Sequence, residues 1–241
     1  MERDTQYVLS ISYGKDSLAC LGAIEKLGLP LDRIIHAEVW ATDTIPADLP
    51  PMMEFKVKAD RIIKERYGIE VEHFCAEREK ERWTYEKQFY SHYSKPQKNR
   101  NNRSTMYGFP MQKGAWCNSR LKVSALGICK RSVSGGNVSY IGIAEDEPER
   151  LARLDGVTKI SPLHLIGWTE ADAMKWCTEN DLRSPLYDDA SRGGCWFCHN
   201  QSVDQLRKLR HNYPDLWELL LKGYRFPGDI SSGRTYCPRF R

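Results

Sequence analysis

The feature that most constrains this chain is a short β-prone run that ends in a glycine-containing turn and passes straight into an amphipathic segment. Residues 7–12, Tyr-Val-Leu-Ser-Ile-Ser, favour a strand, and residues 16–26 place Leu18, Ala19, Leu21 and Ile24 on one helical face. A strand handing over to a helix through Ser12-Tyr13-Gly14-Lys15-Asp16-Ser17 converges backbone N–H groups and the positive helix end on one spot. Ser12, Lys15 and Ser17 add side-chain donors, an arrangement that holds phosphate. It is not a Walker A loop, which needs a longer Gly-rich stretch ending in Gly-Lys-Ser/Thr, nor the three-glycine dinucleotide fingerprint. Asp16 in the turn supplies a carboxylate that can hold Mg²⁺ against the phosphates.

The pattern then repeats. Residues 34–40 read as a second strand and residues 51–67 as a helix that Pro51 starts and Gly68 ends; residues 69–74 form a third strand. A helix over 118–131, strands at 138–143 and 158–161, and a helix at 170–180 capped by Thr169 follow, with short helices at 202–211 and 214–222. Strands alternating with helices predict an α/β fold: a Rossmann-like parallel sheet of about five strands with helices on both faces, plus a Cys-rich helical C-terminal region. Residues 1–183 are expected to form the nucleotide-binding domain, with a basic insertion at 76–116 that is helical over 77–90. Residues 184–241 are expected to complete a metal or iron–sulfur site.

A net charge of +4 decides nothing by itself, but its distribution is uneven. From Lys87 to Ala144 there is no Asp or Glu, while ten Lys and Arg residues at 87–131 interleave with Phe89, Tyr90, Tyr93, Tyr107 and Trp116. A polyanion would be attracted to such a tract. No apolar stretch approaches the roughly 18 residues that a spanning helix needs, and the first residues are polar, so a cytoplasmic protein with no membrane partner is expected.

Eight cysteines without an export signal point to metal ligation, catalysis or burial rather than to disulfides. Cys195-Trp-Phe-Cys198 brings two thiols together in a tight turn, the common half of a zinc or iron–sulfur site. Cys20 and Cys177 lie among apolar helical neighbours and Cys75 ends a strand, which reads as core. Cys129 is a reserve ligand, and His199 reads as a polar surface residue.

Four elements in order make the chain resemble the PP-loop ATP pyrophosphatase (adenine nucleotide alpha hydrolase-like) superfamily, and within it the phosphoadenosine-phosphosulfate (PAPS) reductase-like family. Residues 12–17 are similar to its Ser-Gly-Gly-X-Asp-Ser/Thr signature, with Tyr13 replacing the first Gly, a change expected to narrow the loop without removing its donors. Asp43-Thr44 resembles its Asp-Thr-Gly, and Trp116-Cys117 with Leu121-Lys122 resembles its Cys-containing Leu-Lys element. Gly142-Ile143-Ala144-Glu145-Asp146-Glu147 with Arg150 is similar to its Gly-Ile-Arg-X-X-Glu-Ser-X-X-Arg segment, Ala144 standing where the family often has Arg.

The resemblance implies an adenine nucleotide, ATP with Mg²⁺ or an adenylyl sulfate, over Ser12, Tyr13, Gly14, Lys15, Asp16 and Ser17, with Asp43 nearby. Lys15, Asp16, Lys122 and Arg150 are then the candidate catalytic residues, the last two for a substrate phosphate or sulfate. Cys117 belongs to the matching Leu-Lys element and Cys237-Pro238 is similar to a cluster ligand followed by proline, giving Cys117, Cys195, Cys198 and Cys237 as the metal set. Spacing alone does not separate Zn²⁺ from a 4Fe–4S cluster, and the resemblance favours the cluster.

Two enzyme activities and one non-catalytic role are compatible with these features. In the first, ATP adenylates a substrate oxygen and a sulfur or nitrogen nucleophile displaces AMP, on an acceptor such as tRNA gripped by residues 87–131 and with a sulfur donor as partner. In the second, a thiolate attacks an adenylyl sulfate and a dithiol carrier releases sulfite. The reductases resembling this chain end in a Glu-Cys-Gly-Leu/Ile-His segment and carry two adjacent cysteines at the position of Trp116-Cys117; neither is present, which places sulfur transfer first. A non-catalytic nucleotide- or nucleic-acid-binding module is the third.

Overall fold

The structure is a computed structural model that describes residues 5–92, 106–110, 115–132, 135–189 and 194–224, the side chains of 130, 131, 189, 223 and 224 aside. Strand β1 (Thr5–Ile11), helix α1 (Lys15–Leu27), β2 (Arg33–Glu38), α2 (Pro50–Tyr67) and β3 (Val71–Cys75) come first, followed by a hairpin of β4 (Glu77–Arg78) and β5 (Glu81–Arg82) and by α3 (Tyr85–Tyr90). A π-helical stretch, Asn118–Val123, runs into α4 (Ser124–Arg131). Then come β6 (Gly136–Tyr140), α5 (Pro148–Leu151), β7 (Lys159–Ile160), α6 (Pro162–Ile166), α7 (Glu170–Glu179), α8 (Leu186–Asp189), α9 (Val203–Asn212) and α10 (Pro214–Tyr224).

Five strands form one parallel sheet in the order β3-β2-β1-β6-β7. Side chains alternate along the strands. Leu9, Ile11 and Ile34 face α1, α2 and α7, whereas Val8, Ile35 and Phe74 face Leu126 and Cys129 of α4. The expected α/β sheet with helices on both faces is what the chain forms. Helix α2 starts on the Pro50-Pro51 pair and stops at Gly68, whose φ of 68° is left-handed; α7 starts on a capping box between Thr169 and Asp172. Helices α1 and α7 cross at Gly22, where a Cβ would lie 2.3 Å from the Trp176 ring, so only a glycine permits this approach.

A second core lies outside the sheet. Val39, Ala41 and Ala47 after β2 pack with Phe89, Trp116, Leu121, Trp196, Phe197, Leu209 and Leu220. Aromatic contacts dominate it: Tyr85 is 4.1 Å from Phe197 and 5.1 Å from Trp116, ring centre to ring centre.

The helix expected over 77–90 is shorter than its composition implies. Glu79 and Lys80 adopt positive φ (55° and 66°) and fold residues 77–82 into the hairpin, which the Trp83 N–H closes on the Ala76 carbonyl at 2.7 Å. Helix α3 begins only where the Thr84 side chain accepts the Lys87 N–H. No helix among the described residues is long and apolar enough to cross a membrane.

Candidate functional site

The chain passes from β1 through β2 to β3 on one side and then returns to add β6 to the other edge of β1. In open parallel sheets the usual ligand position is the crevice where the strand order reverses, which here is at the C-terminal ends of β1 and β6. Three segments converge there: the 12–17 turn, the 141–147 loop after β6 and the start of α7. Gly142 makes the convergence possible. A Cβ on it would lie 2.6 Å from the Ser17 amide nitrogen and 2.7 Å from the Asp16 carbonyl carbon.

Within the turn, the Ser12 N–H donates to Ser17 Oγ at 3.0 Å, and the Ser17 hydroxyl donates to the Gly14 carbonyl at 2.9 Å. The Lys15 ammonium donates to both Asp16 carboxylate oxygens, at 2.8 and 3.0 Å, and lies 3.1 Å from Glu170. The carboxylate oxygens of Asp16, Glu147 and Glu170 come within 4.8 Å of one another. Burial pulls the Lys15 ammonium down, but Asp16 and Glu170 outweigh it and leave its pKa raised. Burial also lifts the Asp16 carboxyl above its ordinary value, more than Lys15 lowers it, with Glu170 and Glu147 adding to the rise. Asp16 rises chiefly because it is buried, and Lys15 because two carboxylates hold it; with Arg150 on Glu147, three carboxylates face two cations, an excess of negative charge that a further cation would relieve.

Tyr13 does not narrow the loop as its size implies. Its φ of 58° is the left-handed conformation a glycine would take, and its ring turns away from the turn into the core, where it is fully buried. The hydroxyl donates to Asp60 and lies 3.3 Å from His73. Beside it, His36 Nδ1 donates to the Ile11 carbonyl at 2.9 Å, and the buried Lys56 ammonium donates to His36 Nε2 at 2.9 Å and to Asp48 at 2.5 Å. Burial and then the Lys56 charge hold the His36 imidazole well below its ordinary pKa, so it is the neutral Nδ1–H form that these bonds require. This polar network under the turn has one trace in the sequence: a histidine inside the apolar run Ile34-Ile35-His36-Ala37.

The Cys195–Cys198 turn docks on the loop that follows β2. The Trp196 N–H donates to the Ala47 carbonyl and its indole N–H to the Pro46 carbonyl, both at 2.9 Å, and the Cys198 N–H closes the turn on the Cys195 carbonyl at 2.9 Å. Cys117, at the head of the π-helical stretch, is close enough to both thiols to interact electrostatically. Burial pushes the Cys195 thiol up to about 12 against the lowering effect of Lys122, and burial likewise raises Cys117. Among the described residues, Asp16, Glu147 and Glu170 are the only three such ligand residues that all lie within 4.8 Å of one another, so the sulfurs of Cys117, Cys195 and Cys198 do not all meet that limit. Cys237 lies outside the described residues. Cys20, Cys129 and Cys177 are fully buried.

No protein-family profile matches the chain. Over 104 residues it is 32% identical to the uncharacterized nin region protein ORF290 of Escherichia phage lambda, a match that takes in 42% of this chain and 34% of that protein. The chain thus spans about a third of the length of this curated relative. Among solved structures it is similar to the U34-tRNA thiolase NcsA from Methanococcus maripaludis with its 4Fe–4S cluster, at 15% identity and a TM-score of 0.41, over 97% of this chain and 79% of that one. At that similarity, the chemistry has to be read from this chain's own residues.

The remaining sequence-derived candidates fall in different places. Asp43 is exposed and paired with Lys87 at 2.8 Å. Lys122 is exposed beside the thiols, and Arg150 pairs with Glu147. Arg120 stacks on Tyr107 and donates to its hydroxyl at 3.2 Å. Lys95, Lys98, Arg100, Arg103 and Lys113 lie outside the described residues. Sequence reasoning did not give Glu170 a role in the site, because its place in the first turn of a helix carries no sign of the Lys15 it meets.

Proposed function

We propose that the chain is a PP-loop enzyme of the PAPS reductase-like kind that uses ATP and Mg²⁺ to adenylate an acceptor and transfers sulfur to it. The observation that carries this reading is the juxtaposition, in one switch-point crevice, of a phosphate-type turn with Lys15 and the Asp16, Glu147 and Glu170 carboxylates.

The nucleotide phosphates would lie over the N-terminus of α1, where backbone amides and the helix dipole favour negative charge. The Asp16, Glu147 and Glu170 carboxylates, whose oxygens lie within 4.8 Å of one another, would hold Mg²⁺, which would offset charge on the phosphates. The Lys15 ammonium, held by Asp16 and Glu170, would turn to balance the departing pyrophosphate. An acceptor oxygen attacks the α-phosphorus and pyrophosphate leaves. A sulfur nucleophile then attacks the activated carbon, and the carbon–oxygen bond breaks to release AMP. Lys122 and Arg150, the latter on leaving Glu147, would hold anionic parts of the acceptor.

The Cys117, Cys195, Cys198 and Cys237 set is assigned to a 4Fe–4S cluster, which when bound supplies the sulfur-handling chemistry. Cys117, Cys195 and Cys198, whose electrostatic interactions place them near one another, would hold such a group. The acidic-free 87–131 tract supports a polyanionic acceptor such as tRNA, with a separate sulfur donor.

Anaerobic purification with iron and zinc analysis, followed by pyrophosphate release from ATP–Mg²⁺ with and without tRNA, tests the proposal. A brown iron protein whose pyrophosphate release is stimulated by tRNA supports it. Sulfite from adenylyl sulfate and a dithiol, without ATP turnover, would establish the reductase instead. Saturable nucleotide binding without turnover would establish a binding module.

A further inference from the structure

We propose that Tyr187 is a phosphate-binding residue: its hydroxyl and that of Ser12 flank a hollow over Gly14 that receives one phosphate oxygen of the ligand. This rests on the reading of the 12–17 turn as a phosphate site, and it adds a residue from α8, far away in sequence.

The Tyr187 hydroxyl accepts the Lys15 backbone N–H at 2.9 Å, on the first residue of α1. A phenol that accepts a hydrogen bond keeps its own proton to donate elsewhere. The space for an acceptor is defined by Gly14. A Cβ built there would lie 3.3 Å from the Tyr187 oxygen and 3.4 Å from Ser12 Oγ, which also lies 3.2 Å from Ser17 Oγ, so the bare Cα leaves an approach to the backbone between the two oxygens. Gly14 has φ −84° and ψ 157°, a conformation open to any residue. The backbone therefore does not demand glycine here, and what glycine provides is room. Burial raises the Tyr187 pKa, which keeps the phenol protonated and a donor at neutral pH. The Tyr187 N–H, bonded to the Ser184 carbonyl at 3.2 Å, fixes the segment that presents the ring.

Calorimetric titration of the full chain with ATP–Mg²⁺ and, separately, with inorganic pyrophosphate tests this. Tyr187→Phe should weaken both by about tenfold, the loss of one hydrogen bond to a charged acceptor. Gly14→Ala fills the hollow without straining the backbone and should weaken both at least as much. The two substitutions couple in any case through the 3.3 Å approach of a methyl at position 14 to the Tyr187 oxygen, so the deciding readout is the pyrophosphate affinity of Tyr187→Phe in the otherwise unaltered chain. Unchanged or tighter pyrophosphate binding by Tyr187→Phe would overturn the proposal, because the hydroxyl would then be a placeholder that the ligand displaces. If the unaltered chain binds pyrophosphate but not ATP, the nucleotide reading falls while the pyrophosphate ratio still decides the role of Tyr187. If it binds neither, both fall.

Discussion

The sheet core and the thiol-bearing core are built on different principles. Around the sheet, aliphatic residues at strand and helix periods do the packing, and the crevice follows from strand order. Around Cys195 and Cys198, rings and loops do it, and position depends on single anchors such as the Trp196 indole on the Pro46 carbonyl. A site placed by topology tolerates substitution at most positions except the points of closest approach. A site placed by anchors is sensitive at each of them.

Four measurements would break or sharpen this contrast. The largest effect is expected from Cys195→Ser, which should leave less than about a tenth of the iron in anaerobically purified protein while ATP affinity stays within about twofold. A parallel collapse of nucleotide binding would mean that the two cores are not separable. Next, Gly142→Ala forces a methyl against the first turn of α1 and should lower unfolding free energy by about 1–3 kcal/mol. Gly194→Ala, whose Cβ would meet Cys198 at an ordinary 3.8 Å, should stay within about 0.5 kcal/mol by the same denaturant titration.

Trp196→Phe should cost about 1–2 kcal/mol, because it leaves the Pro46 carbonyl without its indole partner, and it should weaken iron retention. Stability unchanged with iron retained would show that the thiol turn is held by packing alone. The last measurement concerns His36. Its folded pKa lies below the unfolded value of about 6.5, so the unfolded chain takes up the proton first. Stability is therefore fully present above that pH and should fall on acidification, by at most about 1.4 kcal/mol per pH unit, until the folded pKa is reached. His36→Gln should flatten that slope in acid titrations followed by denaturant unfolding.

The sequence was legible wherever a local period carried the information. Leu18, Ala19, Leu21 and Ile24 are buried as the helical pattern implies, the five-strand parallel sheet follows from the alternation of elements, and the 12–17 turn lies where strand meets helix. What sequence could not reveal depends on contacts between distant segments. Glu170 reaches Lys15 only because α7 crosses α1, and Tyr187 reaches the turn across 172 positions. Tyr13 could be named as a departure, but its direction was set by Asp60 and His73, which wait under the turn. The hairpin at 77–82 defeated a helical reading because residues with good helix propensity were overruled by two left-handed backbones and a cap at Thr84.

The strand order also bears on how the molecule is made. Strands β1, β2 and β3 can associate as soon as they emerge during synthesis, but the other edge of β1 stays unpaired until β6 appears more than a hundred residues later. At ordinary elongation rates that interval is on the order of 10 s, during which the hydrogen-bonding groups of β1 are open to wrong partners. The insertion after β3 lengthens the wait. Because the crevice has no second wall before β6 docks, ligand binding is expected to begin only with the closing step of sheet assembly, and a nascent chain halted before residue 136 should be unable to hold nucleotide.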